Sequence, residues 1–564
     1  MRPPLFRLPP WPLAVALAAC LAGAGLAGGG CRPREGGGEG AANAAPDGSP
    51  TAAARPVRGG TAVIGWGADI NGVNELIVPA SNVTDEFLFQ IFLHLMQEQG
   101  DFAEHPPTFE PQLAERWEFS PDRRILTFHL RDDVVWSDGV PVTAEDVRWT
   151  WQAQTHPDIG WGELPAKAAI TDVEVVDAHT VRFHFREVYG KQLLDANEGV
   201  ILPKHAWEKL PFAEWQKNAD WFRDHLVTDG PFLLQSWTPQ QEAVLVRNPR
   251  FYRPGLPYLD KVVLRVVPDQ SAMLAMLRNG EVHLTPNLSA TDVPAVRADP
   301  DLQLVAYWFK LFVFVAWNNE DPRFAHPEVR RALALAIDRR TIVDSLWGEL
   351  ARIGSSPIVT EVWAHHPRLQ PLPYDPQEAR RLLARHGWRD SDGDGLLDKD
   401  GKPFAFELVT NSGNQQRADA LVMIQEQLRR IGVQVEPRVL EIHTLSEQID
   451  DGSYDAVLTG LGMDTSLDLH SVFHSRSIGE GNNIARYRNP EVDRLIEEVR
   501  RAPEIEQARP QLYKLQEVLH RDQPLTYLWE SQRLNGASRR LHDIQSNILF
   551  SLFDLEEWWM SPAA

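Results

Sequence analysis

Phe404 to Gly460 reads FAFELVTNSGNQQRADALVMIQEQLRRIGVQVEPRVLEIHTLSEQIDDGSYDAVLTG, and this stretch decides the fold. Phe404-Ala405-Phe406-Glu407-Leu408-Val409 is a short apolar, branched run, the pattern of a buried strand. Leu421, Ile424, Leu428 and Ile431 then recur every three or four residues. That spacing predicts a helix over Arg417 to Ile431, ended by Gly432. Val433-Gln434-Val435 opens a second strand, Leu445 to Ile449 fits a second helix, and Asp455 to Thr459 a third strand. The order is βαβαβ, and right-handed crossovers turn such a run into a parallel sheet covered on both faces. Ligands of such sheets bind beyond the carboxyl ends of the strands. Thr410 to Gln415 and Gly460 to Asp468 are therefore the loops where a ligand is expected.

Upstream the pattern is β-rich. Ile125 to Leu130 and Val181 to Phe185 alternate with period two, and Lys261 to Val267 is a third strand. Thr143 followed by Asp146 resembles a capping box and predicts a helix running through Trp151. Ser271 to Arg278 is helical and stops at Asn279-Gly280. Pro327 and Glu328 open a helix whose buried face carries Val329, Leu333, Ala336 and Ile337. No repeat of 20–50 residues occurs, which argues against a solenoid or propeller.

The N-terminus speaks to location. Arg2 and Arg7 precede the uncharged apolar stretch Trp11 to Ala27, and small residues precede a cysteine twice, at Cys20 and at Cys31. A charged start, an apolar stretch and a small-residue end make an export signal. A cysteine placed there resembles a bacterial lipobox, with Cys31 taken as the lipidated residue and Cys20 as the alternative. A plain membrane anchor is the rival reading, but the run is Ala/Gly-rich and falls short of the ~20 strongly apolar residues of a span. Residues 32–60 are rich in Gly, Pro and Ala and form a tether reaching on the order of 30 Å.

The remaining body, roughly 500 of the 564 residues, is too large for one core and should form two or three domains. The formal net charge of −22 repels phosphate backbones, so no nucleic acid is expected as a partner. The two cysteines both lie before the tether, so no disulfide supports the body. There is no G-x-S-x-G, H-E-x-x-H, C-x-x-C or P-loop motif, and no catalytic activity or required cofactor is expected. One acidic run is dense. Asp390, Asp392, Asp394 and Asp398 occupy positions 1, 3, 5 and 9 of a calcium-type loop, but Gly401 stands at position 12 where a bidentate Glu belongs. The run is either an Asp/Gly turn or a structural calcium site.

A series of short motifs resembles the extracytoplasmic solute-binding proteins of peptide- and nickel-type ABC transporters, family 5. They are Leu113-Ala114-Glu115-Arg116-Trp117, Trp136-Ser137-Asp138-Gly139, Pro141 to Val147, Asp229-Gly230-Pro231-Phe232, Asn248-Pro249-Arg250-Phe251-Tyr252, Asn318 to Phe324, Val329 to Leu333, and Asn483-Ile484-Ala485-Arg486-Tyr487 with Asn489 to Asp493. The resemblance covers about Gly60 to Trp559. It implies an α/β, bilobal periplasmic-binding-protein-like fold with a solute held in the cleft between lobes. Lobe I would comprise 61–305, with a subdomain inserted at about 101–227, plus a returning segment 530–564; lobe II would comprise 306–529.

The resemblance also implies delivery to a membrane permease and ATPase, with an oligopeptide as the leading solute and a metal chelate, an opine or an oligosaccharide as alternatives. A surface lipoprotein without a transport role is a further reading, and a monomer is expected. In peptide-binding members an aspartate after a Gly-Trp pair holds the ligand's α-amino group. The matching position is Asp464, although Leu461 stands where the family has tryptophan. Trp317 and Asn318, just after the lobe crossing, either line the cleft or pack. Asn483 either fixes loop backbone or lines the pocket.

Overall fold

A computed structural model describes residues 55–562 apart from Ala80, Asp464 and Glu480. Cys20, Cys31 and most of the proposed tether lie outside the described residues. Among these no helix is long and apolar enough to cross a membrane.

The three strands read from Phe404 to Gly460 are Ala405–Asn411, Gln434–Leu440 and Ala456–Gly462, with helices Gln415–Arg429 and Ile442–Asp451 between them. The first strand pairs in parallel with both others, as right-handed crossovers require. The parallel pattern stops there. Ala456–Gly462 pairs on its other side with the antiparallel strand Leu302–Trp317, so the sheet is mixed.

That sheet runs through the whole molecule. From one edge its strands are Gln434–Leu440, Ala405–Asn411, Ala456–Gly462, Leu302–Trp317, Leu525–Ser538, Leu284–Thr285, Thr61–Trp66, Lys261–Val266, Glu242–Arg247 and Phe232–Thr238. The short Ala351–Arg352 adds to Leu525–Ser538. Continuity rests on two long antiparallel strands, Leu302–Trp317 of 16 residues and Leu525–Ser538 of 14. Their register breaks between Trp308 and Phe312, an irregularity of the kind that bends a ribbon. One core lies on the Thr61–Leu264 side of this crossing, and two others cover the opposite faces of the sheet beyond it.

The inserted region carries a separate antiparallel sheet in the order Ala114–Phe119, Ile125–Leu130, Thr180–Phe185, Ile170–Asp177. Helix Ala144–Gln154 opens on Thr143 with the capping box formed by Asp146. Tryptophan packs heavily here: Trp215 makes edge or tilted ring contacts with Trp149, Trp207 and Phe222, and Trp207 also meets Phe222 edge-on.

The Asp229-Gly230 motif has a packing explanation. Asp229 Oδ1 accepts the Leu93 amide at 2.9 Å, and the Gly230 amide donates to the Ile91 carbonyl at 2.8 Å. A Cβ on Gly230 would lie 2.4 Å from the Ile91 carbonyl carbon, so only glycine lets the two backbones meet.

Candidate functional site: a cavity between the lobes

A cavity of about 750 Å³ lies between the inserted region and the Phe404–Gly460 half of the molecule. Its first wall comes from helix Asn82–Ile91 (Phe89, Gln90), from His94, Gln97 and Gln112, from the 186–195 segment, and from the returning chain at Phe550 to Asp554. Ser81 caps the helix by accepting the Thr84 amide, which fixes where Phe89 and Gln90 emerge. Phe89 stands edge-on to His94 and to Phe550, each at 4.6 Å between ring centres, making an apolar shelf.

The second wall is Lys310, the loop Thr465 to Leu469, and Ile496, Glu497 and Arg500 of helix Pro490–Arg501. The loop leaves the carboxyl end of strand Ala456–Gly462, where ligands of such sheets bind. Asn489 accepts the Glu491 amide and Pro490 takes the first helical position, so Asn489-Pro490 sets the direction of that helix. Asn489 Nδ2 and the Tyr487 hydroxyl both donate to Asp522 Oδ2, at 2.8 and 2.6 Å.

Charge around the first wall is shaped by desolvation. Burial brings His94 down to about 4, so it is neutral near pH 7. Lys167, behind this wall, is brought down to about 8 by burial, and its Nζ donates to the Asp195 carbonyl at 2.6 Å. Burial pushes Asp195 up to about 6, opposed by Lys191. On the second wall Glu497 lies 3.6 Å from Arg500 and 3.5 Å from Arg501. Apolar shelf, carboxylates and cations together can hold a solute with both apolar and charged parts.

Residues 108–483 match the family described as bacterial extracellular solute-binding proteins, family 5 Middle. This chain belongs to that family. The oligopeptide-binding protein AppA of Bacillus subtilis (strain 168) is 31% identical over 441 residues, covering 77% of this chain and 80% of the relative. The solved structure of Bacillus subtilis AppA in complex with a nonapeptide superposes with a TM-score of 0.77 at 28% identity, covering 90% of this chain and all of that one. NikZ from Campylobacter jejuni, in complex with Ni(L-His), superposes at 0.76 with 22% identity, covering 88% and 99% of the two chains; at that identity the likeness is one of fold. The family 5 protein is thus an extracytoplasmic solute-binding protein of an ABC importer with the bilobal fold.

Its predicted site residues fall into two groups. Asp464 lies outside the described residues; the residues that follow it, Thr465 to Leu469, line the cavity. Trp317 does not line the cavity. It is wholly buried, its Nε1 donates to Thr526 Oγ1 at 2.9 Å, and its ring packs on Phe324 and Phe406. Asn318 is also buried, with Nδ2 donating to the Tyr454 carbonyl at 2.9 Å and to that of Gly452 at 3.3 Å. Asn483 fixes loop backbone: Nδ2 donates to the His474 and Tyr487 carbonyls, and Oδ1 accepts the Tyr487 amide.

Asp390, Asp392 and Asp394 bring carboxylate oxygens within 4.8 Å of one another, yet each already accepts amides of its own turn. Asp398 accepts the Ser391 amide and hydroxyl. The shelf of Phe89, His94 and Phe550 was not anticipated. Phe89 and His94 are close in sequence, but Phe550 comes from the returning C-terminal segment and no motif links it to them.

Proposed function

We propose that the solute is an oligopeptide, held with its α-ammonium at Asp464 and delivered to a membrane permease driven by an ATPase. The observation that carries this reading is the cavity walled by both lobes, with the Thr465–Leu469 loop facing the Phe89–His94–Phe550 shelf. Charged groups and an apolar shelf lining one cavity suit a chain with ionic termini and varied side chains. The relative named for oligopeptide binding, and its nonapeptide complex, support the same class. The reading includes no catalytic step, a monomeric body and a lipid anchor at Cys31, with Cys20 as the alternative. The Asp390–Asp398 turn is assigned a structural part, and a calcium ion bound there would stabilise the turn without reaching the cavity.

A metal chelate is the second reading. It is favoured by Leu461 in place of the tryptophan of peptide binders and by the Ni(L-His) complex of the same fold.

The test begins with native mass spectrometry of the purified protein to identify a co-purified solute. Isothermal titration then compares a free-amine peptide with its N-acetyl form, on the parent and on Asp464→Ala. Removing one partner of a pair desolvated by closure typically costs several kcal/mol. Asp464→Ala should therefore weaken the free-amine peptide by on the order of a hundredfold, at 1.4 kcal/mol per tenfold. The N-acetyl form should bind the parent weakly and lose little more on mutation. Coupling near zero removes Asp464 as the amine anchor, and a parent that binds no peptide favours the chelate.

A further inference from the structure

The two walls of the cavity touch directly at one rim, and the contact is made by a residue without a side chain. Gly190, in the inserted region, faces Glu504 and Ile505, which join helices Pro490–Arg501 and Arg509–Asp522 of the other lobe. A Cβ on Gly190 would lie 2.4 Å from the Ile505 nitrogen, 2.8 Å from its Cα and 2.9 Å from the Glu504 carbonyl carbon. All three are backbone atoms and cannot swing aside as a side-chain tip would. Gly190 is not among the glycines with a left-handed backbone, so the conformation itself does not require glycine. What requires it is the neighbouring lobe.

The same seam holds an ion pair across the lobes, Arg123 Nη1 to Glu504 Oε1 at 3.1 Å. Gln192 Nε2 donates to the Arg123 carbonyl, and Gln192 Oε1 accepts the Tyr189 amide, so the Arg123 and Gly190 segments are tied together. At the other end of the 504–509 segment, Arg509 Nη2 donates to the Glu104 carbonyl at 3.2 Å, and the Trp363 amide donates to that of Phe102 at 2.9 Å. The inserted region therefore meets this segment at both ends.

We propose that Gly190 is the closure gauge of the cleft: its missing side chain lets the lobes meet over a captured solute, and any larger residue holds them ajar. Solute free energy closes such a protein only by the difference in affinity between its open and closed forms. A variant that cannot reach the closed form loses that difference while its separate lobes stay folded. The inference rests on solute capture between lobes, and not on which solute is captured.

The test measures closure without a solute. The full chain carries Cys20→Ser and Cys31→Ser, which removes both native cysteines, together with Arg123→Cys and Glu504→Cys across the seam. A short bismaleimide joins the two new thiols only when the lobes meet, so its rate reports even a transient closed population. Adding Gly190→Leu should slow cross-linking at least tenfold, and Gly190→Ala should slow it in the same direction. Gly162→Leu is the control. Gly162 lies in the same region, has no atom within 4 Å of an added Cβ and has no left-handed backbone, so the parental rate is expected there. Melting temperatures of all three variants within a few degrees of the parent place the effect in closure rather than folding.

Titration of tetra-alanine into the chain with native Arg123 and Glu504 should show at least tenfold weaker binding for Gly190→Leu. A parent that binds no tetra-alanine counts against the peptide reading and leaves the cross-linking result intact. Parental cross-linking rates in both folded Gly190 variants overturn the proposal.

Discussion

Glu75 shows how one carboxyl can tie stability to pH in this protein. It is part-buried beside the cavity's first wall, and its Oε2 accepts the Val200 amide at 2.9 Å. Desolvation pushes it up to about 8, with the charges of Glu198 and Asp85 adding to the rise and the Val200 amide opposing it. Asp85 nearby is pushed up to about 7 by burial and then by Glu86. The sign follows from proton counting. An acid with a raised folded pKa holds more protons folded than unfolded between the two values, so its contribution to stability falls as pH rises through that window. Lys167, held down at about 8, acts in the opposite direction from near pH 7 upward, so the whole-protein profile mixes the two. The difference between the parent and Glu75→Gln reads the carboxyl together with its coupling to Lys167. Between pH 6.5 and 8 the parent should lose roughly 1–2 kcal/mol more stability than Glu75→Gln. Melting curves at both pH values check this, and parallel pH trends would return Glu75 to an ordinary carboxyl.

At the scale of elements, most local signals were legible because each depends on near neighbours. The strands at Ile125–Leu130 and Lys261–Val266, the capping box at Thr143 and Asp146, and the helix ended before Gly432 all form where the sequence places them. The mixed sheet was not legible. It depends on Leu302–Trp317 pairing with Leu525–Ser538, more than two hundred residues away, and no local pattern encodes a partner at that distance. Whether Trp317 packs or lines the cleft stayed open for a related reason, since its place near the crossing says nothing of Phe324 and Phe406 packing on it.

Two element-scale predictions follow from short motifs. Gly230→Ala should lower stability by about 1–3 kcal/mol, the usual range for overpacking, because its methyl meets the Ile91 backbone; thermal denaturation reads this directly. The Asp390–Asp398 turn should behave as self-sufficient, since each of its four carboxylates already accepts at least one amide of the turn. A chelator should then leave the melting temperature unchanged. A fall that Asp392→Ala abolishes would instead identify a bound calcium, which stabilises by RT ln(1 + [L]/Kd).

On the scale of the whole molecule, capture is useful only if the body stays near the permease that takes its cargo. No helix among the described residues is long and apolar enough to cross a membrane, and we propose that a lipid on the N-terminal segment keeps the body there. A single acyl chain binds a bilayer marginally, whereas a diacylglycerol thioether supplies two chains at about 0.8 kcal/mol per buried CH₂ and holds firmly. The 32–60 tether, rich in Gly, Pro and Ala, would let the body turn to present either lobe while remaining within on the order of 30 Å of the surface. Cys31 follows the apolar run and precedes the polar 32–60 segment, so we propose it as the lipidated residue, with Cys20 as the alternative. Cys31→Ser should therefore move the protein from the membrane pellet to the soluble fraction after an alkaline wash, while Cys20→Ser leaves it bound. The reverse pattern assigns the lipid to Cys20. A double variant that still sediments with membranes after the wash would replace the lipid with an uncleaved apolar anchor through Trp11 to Ala27.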